Sequence, residues 1–111
     1  MSAPAPERDD GLVVWAQRSG STATLALDGY VDLTTVEKVR RTAHTYLACQ
    51  VTKLVLDMAG LTFTDSTGLN LLVELRTAVD RRGGSLVIEN APPALMKLTA
   101  ITGLDRVLEL R

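Results

Sequence analysis

The residues with the most chemistry in this 111-residue chain stand together at Asp65-Ser66-Thr67-Gly68. A carboxylate and two hydroxyls come just before the apolar run Leu69-Asn70-Leu71-Leu72, where a helix is predicted to begin. A helix start presents unpaired backbone N–H groups and the positive end of the macrodipole. Both stabilise an anion placed there. A threonine at that point, such as Thr67, can accept a phosphoryl group at little cost to its own fold. Phosphorylation would add about −1.5 to −2 charge and three strong acceptor oxygens. Gly68, without a side chain, is expected to leave the backbone near the hydroxyl open to another protein's active site. Asp, Ser and Thr are also the favoured N-cap residues. From the tetrapeptide alone, plain helix capping is the better-supported reading, because short motifs recur by chance.

Other reactive side chains are few. His44 is the single histidine, and a Ser-His-Asp hydrolase would need it beside Ser66. It is expected instead to be an ordinary surface or boundary residue of a helix. A small hydrolase using Ser66 or Thr67 has no visible oriented base, so no catalysis is expected. Cys49 is the single cysteine, which excludes an internal disulfide. With no spaced partner it offers no zinc site of the usual kinds, and it is expected to be a buried packing residue. No metal or cofactor is expected. Asp57 ends a strand close to the tetrapeptide; it either supports the following loop or orients Thr67, and the structural role is the safer one. Trp15 and Met58 are expected in the core. Arg40, Arg41, Arg81 and Arg82 form short basic pairs expected on solvated faces, where they could also contribute to a partner surface.

The elements that must position Thr67 follow from patterning. Residues 1–11 are expected to be a flexible tail, being small, Pro-containing and charged. Leu12 to Gln17 suits a strand, Ser19-Gly20-Ser21 a turn, and Thr22 to Leu27 alternates with period two. The two runs are predicted to form a hairpin, ended by Asp28-Gly29. Thr34 with Glu37 three positions later makes a plausible capping box. Val36, Val39, Ala43 and Leu47 repeat at helical spacing, with Lys38, Arg40 and Arg41 free to face water, so a helix is placed at about 34–48. Lys53 to Met58 reads as a buried strand, and 59–64 as a loop with Leu61 and Phe63 pointing inward. A second helix runs from the tetrapeptide to about Arg82, stopped by Gly83-Gly84. Ser85 to Glu89 is a short strand, and Pro92-Pro93 opens a helix to about Thr102, ended by Gly103. Residues 106–110 are read as a last strand in preference to a short helix. The order is β-β-α-β-α-β-α-β, an α/β domain with helices packed on a mixed sheet.

At 111 residues this is one domain, residues 12–111, long enough to bury a core without staples. A formal net charge of −1 excludes the basic footprint that direct nucleic-acid binding needs. Four aromatic residues make no stacking platform for single strands. No apolar run approaches signal-peptide or membrane-spanning length, so a cytoplasmic location with no membrane association is expected.

Several segments together resemble the STAS family, and within it the bacterial anti-sigma factor antagonists. Leu27-Asp28-Gly29-Tyr30-Val31-Asp32 resembles the family's Gly-x-x-Asp turn, and Leu54-Val55-Leu56-Asp57-Met58 its central strand. Phe63-Thr64-Asp65-Ser66-Thr67-Gly68-Leu69 resembles its Asp-Ser-Ser-Gly-Leu signature. Arg82-Gly83-Gly84 and Leu98-Thr99-Ala100-Ile101-Thr102-Gly103-Leu104 match later landmarks. Ordered landmarks over about residues 12–111 are far more specific than one motif, and they turn the balance from capping to phosphorylation. The resemblance implies a partner-switching cycle. The unphosphorylated protein binds an anti-sigma factor of the serine/threonine kinase type, and a sigma factor is freed. The kinase phosphorylates the antagonist and so ends binding, and a metal-dependent serine/threonine phosphatase resets it. By the resemblance the acceptor is Thr67, with Ser66 as the alternative. The implied partner-binding residues are Asp32, Asp65, Ser66, Thr67, Gly68, Leu69 and Asn70, Asp32 matching the family acid near the acceptor. The chain departs from the family in carrying threonine rather than the commoner serine, and Asn70 where many members have glycine. Threonine adds a methyl and restricts χ1. A second implied role is a scaffold or sensor-complex component that is not phosphorylated.

Overall fold

Alternating apolar residues decide where the strands lie and which way they face. The structure, a computed structural model, describes residues 7–9 and 11–111. In β2 (Leu12–Ser19) the buried residues are Leu12 and Val14; in β3 (Thr22–Val31) they are Ala23, Leu25, Leu27 and Val31. The two strands pair antiparallel, closing at Ser19 opposite Thr22. Glu7–Asp9 form a short β1 that pairs antiparallel with β2. Three residues of the expected tail thus belong to the sheet, where the outer edge of β2 offers unpaired backbone groups. Residues 1–6 and 10 lie outside the described residues.

From β3 onward strands and helices alternate: α1 (Val36–Ala48), β4 (Lys53–Thr64), α2 (Ser66–Arg81), β5 (Ser85–Glu89), α3 (Pro93–Thr102) and β6 (Glu109–Leu110). After β1 the order is the expected one. β3, β4, β5 and β6 run parallel, and the sheet order is β1-β2-β3-β4-β5-β6. Each crossover steps the same way along the sheet, so right-handed connections put all three helices on one face. The core lies beneath them. Leu25, Leu54, Leu56 and Ile88 of the strands meet Val39, Ala43 and Leu47 of α1, Leu72, Leu75 and Val79 of α2, and Leu95 of α3. The helical stripe read from the sequence, Val36, Val39, Ala43 and Leu47, is the buried one.

Several expectations are corrected. β4 does not end at Met58 but runs to Thr64, because it bulges twice against β3: Ala26 pairs with Asp57 and Asp28 with Gly60, then Gly29 with Leu61 and Tyr30 with Phe63. The second bulge inverts the alternation of side chains. Leu61, which precedes it, is buried as expected, while Phe63, which follows it, points outward. Trp15 is 48% exposed, because it neighbours the core residue Val14 and so turns to the helix-free face opposite Ala26. Met58 is buried as expected. Lys38 is buried rather than solvated, its Nζ donating to the Leu12 carbonyl at 3.3 Å. The Thr34–Glu37 capping box does not form: α1 is capped at Thr35 with no side-chain cap bond, and Glu37 pairs with Arg40. Cys49 is exposed, since α1 ends at Ala48 and the chain leaves the buried stripe. The last strand shrinks to Glu109–Leu110 because Gly103, in the left-handed region at φ 79°, turns the chain into a 3₁₀ turn at Leu104–Arg106.

Candidate functional site

Val31 and Thr64 are partners at the last rung of the parallel pair β3–β4. The residues that follow them, Asp32 and Asp65, are thus brought to one rim of the sheet, and each leads into a helix. At α2, Asp65 has extended backbone (φ −114°, ψ −164°) and its Oδ1 accepts the Thr67 N–H at 2.9 Å. Its carbonyl accepts the N–H groups of Gly68 at 3.1 Å and Leu69 at 3.4 Å. Capping is real, and the carboxylate alone performs it. Ser66 is exposed and Thr67 half-buried, and neither hydroxyl makes a hydrogen bond among the described residues. Every buried side-chain nitrogen and oxygen among those residues has a partner, so the unbonded Thr67 oxygen reaches solvent.

Gly68 plays a different part from the one expected. It is buried, and a Cβ built on it would lie 1.9 Å from Thr64 Oγ1 and 3.6 Å from Val31 Cγ1. The absent side chain lets α2 start hard against the ends of β3 and β4, rather than baring backbone to a visitor. Leu69 is buried too. Of the residues implied as partner-binding, Asp32, Asp65, Ser66, Thr67 and Asn70 reach the surface, and Gly68 and Leu69 serve packing.

Asp32 organises the other helix start. Its Oδ1 accepts from the Thr34 hydroxyl at 2.6 Å and the Thr34 N–H at 2.8 Å. The Thr34 hydroxyl is the main reason the carboxyl titrates below its usual range; partial burial opposes the shift, and the backbone N–H of Thr34 adds to it. Thr35, buried, donates its hydroxyl to the Tyr30 carbonyl at 2.9 Å and accepts the Asp32 N–H at 3.0 Å.

The remaining candidates take structural roles. Asp57 Oδ1 accepts from the Ala59 N–H and from Asn90 Nδ2, each at 3.0 Å, tying β4 to the turn after β5. His44 Nε2 lies 3.1 Å from Glu74 Oε2, a helix-boundary contact and not part of a relay with Ser66. Arg40 joins the same cluster, its Nε 3.1 Å from both Glu74 oxygens. Burial pushes the Glu74 carboxyl up, but hydrogen bonds from His44 and Arg40 outweigh it and hold it below its usual value. Among the described residues no three His, Cys, Asp or Glu side chains are grouped to hold a metal ion, and no helix is long and apolar enough to cross a membrane.

Sequence reading missed three features of the rim. Leu33, 80% exposed between Asp32 and Thr34, and Phe63 put apolar surface beside the hydroxyls. Thr64 is the wall against which Gly68 packs. Leu33 stands in a turn of capping residues, a signal that was available; Phe63 depends on a bulge and left none.

Comparison with known proteins agrees with this geometry. The family described as Mlab, STAS domain matches residues 14–110. The anti-sigma-B factor antagonist of Listeria monocytogenes is 29% identical over 83 residues, covering 75% of this chain and 73% of that protein. An anti-sigma factor antagonist from Mycobacterium paratuberculosis superposes with a TM-score of 0.80 at 22% identity, over 99% of this chain and 89% of that one. The Bacillus cell fate determinant SpoIIAA in its phosphorylated form superposes with a TM-score of 0.72 at 22% identity, over 88% and 90%. With its sheet order, its three one-sided helices and a family match over nearly its whole length, the chain belongs to the STAS-domain family.

Proposed function

We propose that this protein is an anti-sigma factor antagonist whose binding of a serine/threonine kinase-type anti-sigma factor is ended by phosphorylation at Thr67. The observation that carries the reading is the uncommitted Thr67 hydroxyl on a helix start whose backbone is already fixed by Asp65. A kinase can take that hydroxyl without breaking any hydrogen bond the domain uses. Named antagonists among the relatives, and a phosphorylated form of a protein with this fold, support the same view. The rim around Thr67 is mixed: carboxylates at Asp32 and Asp65, amide at Asn70, apolar surface at Leu33 and Phe63. A phosphate placed there would face two carboxylates of its own chain and would have to be desolvated inside any interface. Turning a 99:1 bound population into 1:99 takes about 5.5 kcal/mol of differential affinity, within reach of a buried dianion. A metal-dependent serine/threonine phosphatase would reset the cycle, and the protein would act as a binding module in the cytoplasm.

The test is incubation with the kinase-type anti-sigma factor of the same organism and ATP, followed by intact-mass measurement. One added phosphoryl group, roughly 80 Da, is expected in the wild type and none in Thr67→Ala. Thr67→Ala is expected to bind the kinase persistently and Thr67→Glu weakly. Equal affinity of the two variants would overturn the reading, and a phosphoryl group retained in Thr67→Ala but lost in Ser66→Ala would move the acceptor to Ser66. A second reading is that the domain is a scaffold or sensor-complex component that is not phosphorylated. That reading predicts stable partner binding with no mass change.

A further inference from the structure

The face of the sheet without helices carries three of the chain's four aromatic residues. Trp15 and Ala26, partners in β2 and β3, turn to it because their neighbours Val14, Leu25 and Leu27 belong to the core. At the strand ends Val31 and Thr64 are partners that meet Gly68 of α2, so the partners before them, Tyr30 and Phe63, take the helix-free face. Trp15 is 48% and Phe63 55% exposed. Between them the floor is low, since Ala26 is small and Gly60, beside the Asp28 Cβ, has no side chain. Exposed apolar surface of this kind marks a place of interaction. The same alternation brings Asp28, Asp57 and Glu89 to this face, against Lys53, and Glu109, which is paired with Arg111. Across β2–β6 the face therefore has two carboxylates in excess.

A surface that fits it lies on the same chain. α3 buries only Leu95 and Thr99. Its outer side is Pro93, Ala94, Met96, Lys97, Ala100 and Ile101, with Met96 50% and Ile101 72% exposed. That side is apolar but for one lysine, and α3 contains no acidic residue. The outer sides of α1 and α2 are charged instead, with Glu37 and Arg41 on one and Asp80 and Arg81 on the other. Within one molecule α3 lies on the other side of the sheet, so the two surfaces can meet only between copies. Two sheet faces would bring carboxylates together, and two α3 helices would bring Lys97 to Lys97. α3 on the sheet face instead pairs an apolar, basic helix with an apolar, acidic surface. It also covers a largely parallel sheet as such sheets are ordinarily covered, by a helix. We propose that the helix-free face of one molecule docks α3 of a second copy, the apolar side of the helix against Trp15 and Ala26, and Lys97 among Asp28, Asp57 and Glu89. The contact is head-to-tail, so it does not pair off and can continue from copy to copy. A helix of ten residues is about 15 Å long, which puts the interface in the small, weak class.

The test is sedimentation velocity of the full chain from about 10 µM to about 1 mM, with the emission of Trp15, the single tryptophan, read in parallel. The average mass is expected to rise past the dimer, and the emission to move to the blue as Trp15 leaves water. Trp15→Ala and Ile101→Glu, both at exposed positions, are each expected to stay monomeric. Mixed in equal parts they are expected to form a dimer and nothing larger. The intact α3 of the first meets the intact sheet face of the second, and the two surfaces left over are spoiled. Lys97→Glu is expected to weaken association about tenfold or more. Thr67→Ala, which alters neither surface, is expected to associate as the wild type does. A wild type that stays monomeric throughout, or single variants that still associate, overturn the proposal. So does a mixture that stays monomeric while the wild type associates, which would place like surfaces together. None of these outcomes touches the switch at Thr67.

Discussion

α1 and α2 both follow a parallel strand, and the two strands end as partners, Val31 beside Thr64. Each helix is led by an aspartate and two hydroxyl residues: Asp32, Thr34, Thr35 and Asp65, Ser66, Thr67. Chemically the two starts are near copies. At α1 every hydroxyl is committed, Thr34 to the Asp32 carboxylate and Thr35, buried, to the Tyr30 carbonyl and the Asp32 N–H. At α2 neither hydroxyl is committed, and the start is pinned by the Asp65 carboxylate and the close approach of Gly68 to Thr64. One start spends its hydroxyls on structure. The other is fixed without them, which leaves a hydroxyl free for chemistry. Residue type is the same in both, and commitment is what separates a cap from a candidate switch.

The sharpest way to break this contrast is to deny α2 its shape-based pin. Gly68→Ala puts a methyl within 1.9 Å of Thr64 Oγ1, so the helix start or Thr64 must move. Overpacking of this kind is expected to cost about 3 kcal/mol in a urea melt. Adding Thr64→Ala removes the nearest obstacle and is expected to restore most of the loss. A double variant no more stable than Gly68→Ala would mean that something other than Thr64 sets the start of α2.

Next comes a matched pair of hydroxyl deletions. Thr35→Val leaves the Tyr30 carbonyl and the Asp32 N–H without their buried partner, an expected loss of about 2 kcal/mol. Thr67→Val removes a hydroxyl that holds nothing, and its effect is expected to stay within about 0.5 kcal/mol. Similar melting shifts for the two would erase the difference between the helix starts.

How much of this was legible beforehand depends on range. Helical stripes such as Val36-Val39-Ala43-Leu47 and the alternation of Ala23, Leu25 and Leu27 are local patterns, and each is buried as read. The strand-to-helix setting of Asp65-Ser66-Thr67 was local too. What escaped depends on register between strands. Two bulges in β4 carried the strand to Thr64 and turned Phe63 outward, and no property of residues 59–64 alone announces them. Trp15 went to the helix-free face because which face the helices cover is decided by three distant crossovers. Gly68 was singled out for the right position and the wrong reason, since its neighbour Thr64 is near only after the chain has folded.

The smallest expected effect concerns acid. Asp32 titrates below its ordinary 3.8, chiefly through the hydrogen bond from the Thr34 hydroxyl. A carboxyl depressed by folding contributes stability that is complete above the unfolded-state value and is lost as pH falls through the lower folded-state value. The α1 start is therefore expected to loosen on the acid side, as the protonated carboxyl loses its ionic hold on Thr34. Asp32→Asn keeps an acceptor oxygen for the Thr34 N–H and removes the titration. Urea midpoints taken from about pH 5 down to about pH 2 should fall further in the wild type than in Asp32→Asn, with the curves meeting at the acid end. The partly exposed setting of Asp32 keeps this difference slight. Parallel curves would show that the Thr34 hydroxyl is not tied to the Asp32 charge, and α1 would then have a spare hydroxyl of its own.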